Sequence, residues 1–388
     1  MKTKLLPIKK TLTDNKNTLL VLLGAAVVFL IAWALAAPAK EQPIQAEEYA
    51  EYEKAVVTQV LADSTELDES SDNSLRGEQR LIVKVKTGQY KGKEMQVSNY
   101  VGPLYGTPLK EGDKAVVILS TYADGTVMGS VYEFNRTGAL LVVLALFLAA
   151  AILVGGKTGA KSLIGLAVTL ACLFLVLLPA LMKGAPTLLT VFLVCAYIAV
   201  VTLTILGGVS KKTVCAMAGT IAGTAAALLF GLIAQALLRI DGLRIDDAEA
   251  LLQLHQTGTP IGLKGLLVAG VVISALGAVM DVTMGISSAM VEVHAANPRL
   301  GGKELFRSGM NIGRDMVGTM TNTLILALLG SSFVLILYLY SMELSAHQFI
   351  SSAYLSIEVV SSISSSIGVI LAIPLTALIC SAVLTKKK

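Results

Sequence analysis

Asp281, Glu292, Arg314, Asp315 and Asn322 lie in or beside stretches that are otherwise apolar enough to sit in a bilayer. An ionisable side chain in that setting costs about 2.5–3.5 kcal/mol on insertion scales, so it marks a proton, ion or substrate route by default. Their spacing adds to the case. Asp281, Gly285, Ser288 and Glu292 follow a 4-3-4 rhythm, and so do Asn311, Asp315, Gly318 and Asn322. On a helix of about 3.6 residues per turn each quartet falls on one face. The two seams are expected to face a common neighbourhood across a short loop. Arg314 is the natural partner for Asp281, Glu292 or Asp315, because a buried charge requires a counter-charge. A third set, Glu358, Ser362, Ser365 and Val369, repeats the rhythm near the C-terminus. Together these groups can form a discontinuous ion route: Glu358 outermost, serines between, Asp281 and Asn322 deeper, Glu292 and Asp315 innermost. The competing reading is a static polar network that fixes helix packing.

The elements that must hold these groups are membrane helices. The chain has 388 residues, 54% hydrophobic and 15% charged, with mean hydropathy +0.72. About eight apolar runs approach the length, about 20 residues, that crosses a hydrocarbon core: Leu19–Ala37, Gly138–Val154, Ser162–Met182, Thr187–Leu206, Thr213–Leu238, Gly265–Met290, Thr319–Tyr340 and Ile357–Leu384. Pro374 is placed to kink the last one. Counting about 1.5 Å per residue from Gly265 puts Asp281 roughly 24 Å along its run, in the inner third. Arg314 and Asp315 then precede the seventh run on the same side.

Lys and Arg set the orientation. With the N-terminus inside, the loops carrying Lys157 and Lys161, Lys211 and Lys212, and Arg299, Lys303, Arg307 and Arg314 all fall on the cytoplasmic side, as does the tail Lys386–Lys388. The implied location is the cytoplasmic membrane of a bacterium, both termini cytoplasmic. The expected organisation is a cytoplasmic N-terminus at 1–18, a membrane anchor or signal-anchor at 19–37, an extracytoplasmic β-rich domain at 40–137, a seven-helix membrane domain at 138–384 and a tail at 385–388. Small residues at Ala34, Ala36 and Ala37 also suit a cleaved secretory signal, but the apolar run exceeds the usual 7–15 residues and favours the anchor.

In residues 40–137, Glu41–Lys54 leans towards helix, and Asp63–Glu78 reads as a mobile polar loop. Alternation and β-branching predict strands at Lys54–Leu61, Arg80–Thr87, Lys93–Tyr100, Lys114–Ser120 and Thr126–Phe134. Short strands at this density fit a small barrel of OB type or a compact sandwich. No aromatic–basic platform for single-stranded nucleic acid is present, and the basic residues sit where the positive-inside rule puts them, so nucleic acid is not an expected partner. The expected partners are the lipid bilayer and either an extracytoplasmic protein or a second copy of the chain.

Other chemistry is poorly supported. Gly155-Gly156-Lys157-Thr158 imitates the end of a phosphate loop, but Ala151 replaces its first glycine and no strand precedes it. The three histidines are scattered and have no metal spacing, and Cys172, Cys195, Cys215 and Cys380 lie in apolar runs without a CxxC pair. No cofactor is implied, and no nucleophile–base pair is legible. Cys215, Gly219, Gly223, Ala227 and Gly231 form a small-residue stripe suited to close helix packing.

The run Met310-Asn311-Ile312-Gly313-Arg314-Asp315-Met316-Val317-Gly318-Thr319-Met320-Thr321-Asn322-Thr323 resembles the signature of the YibE/YibF-like multi-pass membrane proteins. So do Leu276–Asp281 and Ser366–Val369 followed by Ala372–Thr376, and the likeness covers about residues 140–384. The resemblance implies an anchor and an exported domain ahead of a helical block. Where the family pattern often has a basic residue three positions after the acid at 358, this chain has Ser361. The residues support a secondary transporter or ion-coupled export component centred on Asp281 and Asn322. An assembly protein whose exported domain docks a partner is the alternative, and an intramembrane enzyme is the weakest reading.

Overall fold

The structure, a computed structural model, describes residues 6–36, 49–122, 125–240, 248–256, 258 and 260–386. It divides into two compact units, residues 40–150 and the remainder.

The smaller unit is a closed five-strand barrel. Its main strands are β1 (Tyr49–Asp63), β3 (Ser74–Val85), β4 (Glu94–Val101), β5 (Lys114–Thr121) and β6 (Val127–Phe134), in the order β1-β5-β6-β4-β3 with β3 returning to β1. All neighbours are antiparallel except β4 and β6. β1 closes the ring because it is long enough to pair with β5 through its first half and β3 through its second. Register shifts after Val57 and Val60 supply the bend that closure requires. Alternate residues Leu81, Val83, Val85, Val97, Val117 and Leu119 fill the interior.

Two expectations need correction. Tyr49–Lys54 is strand rather than helix, its backbone already paired with β5; residues 41–48 lie outside the described residues. The polar run after Asp63 is ordered by pairing: β2 (Glu66–Asp68) forms a hairpin with the start of β3.

A buried amide clip holds the loop between β4 and β5. Asn99 Nδ2 and the Leu109 amide both donate to Gln79 Oε1 at 2.9 Å, and Gln79 Nε2 donates to Asp63 at 2.8 Å. Leu109 is thereby seated in the core.

The larger unit is helical: α1 (Leu6–Ala36), α2 (Thr137–Ala171), a π-helical turn (Cys172–Leu177) leading into α3 (Leu178–Met182), α4 (Thr187–Gly207), α5 (Lys211–Leu238), α6 (Ala248–Gln256), α7 (Leu266–Ala296), α8 (Gly302–Ser331), α9 (Phe333–Ser341), α10 (Ala346–Ile350) and α11 (Ala353–Thr385). The first part of α2, up to Ala150, groups with the barrel unit. Among the described residues six helical stretches are long and apolar enough to cross a membrane, or seven if α8 and α9, bent by 61° at Ser332, form one span. The eight apolar runs differ chiefly at Thr137–Met182, a stretch of 46 residues. Its backbone leaves helical values at Gly156 (φ 53°, ψ −132°), a conformation that favours glycine. The last helix continues through Pro374.

The core of this unit is α5, α7 and α11 packed together, with α4 against α5 and α7, and α8 against α7 and α11. The small-residue stripe of α5 makes this possible. A β-carbon on Gly223 would lie 2.7 Å from Ala372 Cβ and 3.2 Å from the Gly368 carbonyl, and one on Gly368 2.7 Å from Ala227 Cβ. Only hydrogens fit between α5 and α11 at that crossing. α1 rests on α4: Tyr197 Oη donates to the Ala25 carbonyl at 2.7 Å, and the Val209 amide to Thr18 Oγ1 at 3.1 Å.

Gln79→Ala removes the acceptor of the Leu109 N–H and one of the two acceptors of Asn99 Nδ2, a loss of about 1–3 kcal/mol. Hydrogen exchange should show protection falling at Asn99 and Leu109 and staying unchanged in α5 and α11. Hydrogen bonds from Thr65 and Gln79 hold the Asp63 carboxyl below its ordinary 3.8. A lowered folded value stabilises the barrel above the usual carboxylate range and loses that contribution as pH falls through the folded value. Asp63→Asn should flatten the acid limb of barrel unfolding, followed by hydrogen exchange of β1 and β3.

Candidate functional site

The polar groups occupy three helices, and their registers decide which can meet. α8 runs antiparallel to α11: a β-carbon on Gly302 would lie 3.4 Å from Thr385 Oγ1, one on Gly309 3.0 Å from Ala377 Cβ, and one on Gly313 3.3 Å from Ile373 Cβ. Ser332, at the other end, donates its hydroxyl to Glu358 Oε2. Residues 311–322 therefore lie alongside the middle of α11. The same level of α7 is reached through Gly285, where a β-carbon would be 3.1 Å from Met316 Cε. Counting along the sequence puts Arg314 and Asp315 ahead of a span; the register sets them beside Gly285 of α7 and the middle of α11. α8 itself begins at Gly302, well before the apolar run does.

The two quartets do not face each other. α8 buries Leu305, Gly309 and Gly313 against α7 and α11, while Asn311, Arg314, Asp315, Gly318 and Asn322 are all exposed on its opposite side. The ion pairs among the described residues all lie in the barrel unit, so Arg314 pairs with none of Asp281, Glu292 or Asp315. On α7, Asp281 and Glu292 are exposed, and Ser288 is half-buried and accepts from Lys212 Nζ at 3.2 Å. The sequence gives Lys212 only a topological role; no local pattern links it to Ser288.

Other groups do converge. Glu358, half-buried near the start of α11, accepts the hydroxyl of Ser332 at the break between α8 and α9. A carboxylate at a broken helix can reach backbone groups that the helix no longer satisfies. One turn on, Ser362 is 5% exposed and its hydroxyl has no partner among the described residues. Ser365, fully buried, lies 2.9 Å from Ser274 Oγ of α7 and donates to the Val271 carbonyl at 3.3 Å. Ser274 precedes Asp281 by two helical turns on the same face. Hydroxyls accept and donate at once, so a row of them can relay a proton where a lone carboxylate cannot. Ser274 carries a legible signal, its i, i+7 relation to Asp281, yet it is absent from the expected set. Deeper in the bundle, Thr220 and Thr283 bond across α5 and α7 at 2.8 Å, and Ser287, Ser364 and Thr376 are buried with hydroxyls unpartnered among the described residues.

Among the described residues no cluster of three or more His, Cys, Asp or Glu could hold a metal. The four cysteines are free and buried.

Long apolar helices, with exposed apolar side chains along α1 and α2 and a polar-threaded core, define a helical membrane protein. Residues 143–386 match the family described as YibE/F-like protein, and the chain belongs to that family. No curated protein and no solved structure matches it.

Interhelical hydroxyl bonds in membrane bundles are worth about 0.6 kcal/mol on average and up to about 1.7. Ser365→Ala and Ser274→Ala should each lower thermal stability within that range, and the double variant should cost less than their sum. Additive losses would show that the two hydroxyls are uncoupled.

Proposed function

We propose that this protein is an ion-coupled transport component of a bacterial cytoplasmic membrane, either a secondary transporter or part of an export machine. Protons move between Glu358 and Asp281. The supporting observation is the Ser365–Ser274 contact at 2.9 Å, which joins the serine face of α11 to the Asp281 stripe of α7. From Glu358 to Ser365, and from Ser274 to Asp281, are seven residues each, about 10.5 Å of helix rise apiece. The row thus extends over about 21 Å, most of a hydrocarbon core of about 30 Å. Asp281 is the coupling acid, and Ser288 and Glu292 with Lys212 continue the path towards the cytoplasm. In this topology both termini are cytoplasmic, and the barrel, whose Greek-key order suits an OB-type fold, is extracytoplasmic.

An assembly role has one observation in its favour. The barrel carries an exposed edge-to-face pair, Tyr52 and Tyr132, with ring centroids 5.2 Å apart, of a kind common at protein interfaces.

Proteoliposomes under an imposed pH gradient, read with an internal pH dye, separate the two. Wild type is expected to dissipate the gradient. Asp281→Asn is expected to slow dissipation at least tenfold while the unfolding midpoint stays within a few degrees, and Glu358→Gln to behave alike. Equal flux in wild type and Asp281→Asn, or no flux in either with a lower midpoint in the variant, would leave the polar row a packing device.

A further inference from the structure

The outward face of α8 is at odds with its surroundings. It presents Asn311, Arg314, Asp315 and Asn322 beside a stretch of α11 whose exposed side chains, Ile363, Ile370, Leu371 and Leu378, are apolar. Hydrocarbon cannot solvate a guanidinium and a carboxylate, and neither has an ion-pair partner among the described residues. Another surface must cover them.

Three properties identify that surface. First, the 4-3-4 spacing of Asn311, Asp315, Gly318 and Asn322 is the a/d rhythm of a left-handed helix pair, and it continues to the exposed Leu329. Second, Arg314 and Asp315 are adjacent, so they lie at nearly one depth. In two parallel helices related by a twofold axis, an a-position knob sits in a hole that includes the preceding g' residue of its partner. Asp315 at a then faces Asp315 of the other copy and is flanked by Arg314 at g' of that copy, so two carboxylates and two guanidiniums share this level with no net charge. Third, Gly318 has nothing within 4 Å of a β-carbon built on it, so the backbone there is open to close approach. Asn322, again at a, meets itself across the axis, the pairing by which a buried Asn sets a parallel register. A face that carries both charges at one level, a small residue and a central amide is complementary to itself.

We propose that this face is the interface of a homodimer, in which two α8 helices pack in parallel through Asp315, Gly318 and Asn322, with reciprocal Arg314–Asp315 ion pairs between the copies.

Charge exchange in the full-length protein tests it, with mass measured by light scattering in detergent and in nanodiscs. Wild type should be dimeric. Arg314→Asp and Asp315→Arg each place like charges together and should weaken the dimer at least tenfold. The double variant Arg314→Asp/Asp315→Arg restores opposite charges across the axis and should recover it. Gly318→Cys should form a disulfide-linked dimer in membranes under mild oxidant, well above Leu378→Cys on the exposed side of α11. A monomer at every concentration, failure of the double exchange to rescue, or linkage of the Gly318→Cys variant to another protein in place of a second copy would each overturn the proposal. None of these readouts depends on ion flux.

Discussion

The contact on which the helical unit depends is the crossing of α5 and α11 at Gly223 and Gly368. A β-carbon on either glycine would fall 2.7 Å from an alanine methyl of the opposing helix. Lipid tails are as apolar as leucine, so membrane helices gain little from hiding hydrocarbon and associate through close packing and hydrogen bonds instead. That crossing brings α11 into the bundle centre, where α7 joins it. Everything polar in the unit is then positioned relative to α7 and α11. With a larger residue at the crossing, Ser365 and Ser274 would not be at bonding distance.

Placement at the centre changes what the side chains can do. Serines and threonines in an apolar interior satisfy themselves by donating to the carbonyl three or four residues back, as Thr220, Thr224 and Ser366 do. Ser362 and Ser364 do not, and their hydroxyls are buried and unpartnered among the described residues. They flank the segment between the α8–α9 break and Ser274. Unused hydrogen-bonding capacity is costly in a low dielectric and is kept where it is used. A polar row along α7 and α11 and a charged seam on the outer side of α8 are thus two separate systems.

Much of this is legible in the sequence. Apolar run lengths mark the long helices because bilayer thickness is fixed, and alternation marks the barrel strands because side chains of a closed sheet point alternately in and out. The stripe Cys215–Gly231 reads as a packing surface, and its glycines do face α11 and Val268 of α7. What misleads is local preference: Tyr49–Lys54, charged and helix-leaning, is strand because β5 supplies its partner. Gly156 falls in the gap between two apolar runs, where the backbone does leave helical values, whereas Ser332 gives no sign of a 61° bend.

The sequence by itself determined which residues share a helix face, since rhythm is intrinsic to a single helix. It set out the quartets of α7 and α8 and the serine face of α11. Only the tertiary structure decided which faces meet. Rotation and register of one helix against another depend on where small residues permit contact, and Gly285, Gly309 and Gly313 turn α8 so that its apolar side faces inward. The polar quartet is left outward for that reason, and Asp281 shares its helix face with Ser274, the partner of Ser365, instead of meeting Arg314.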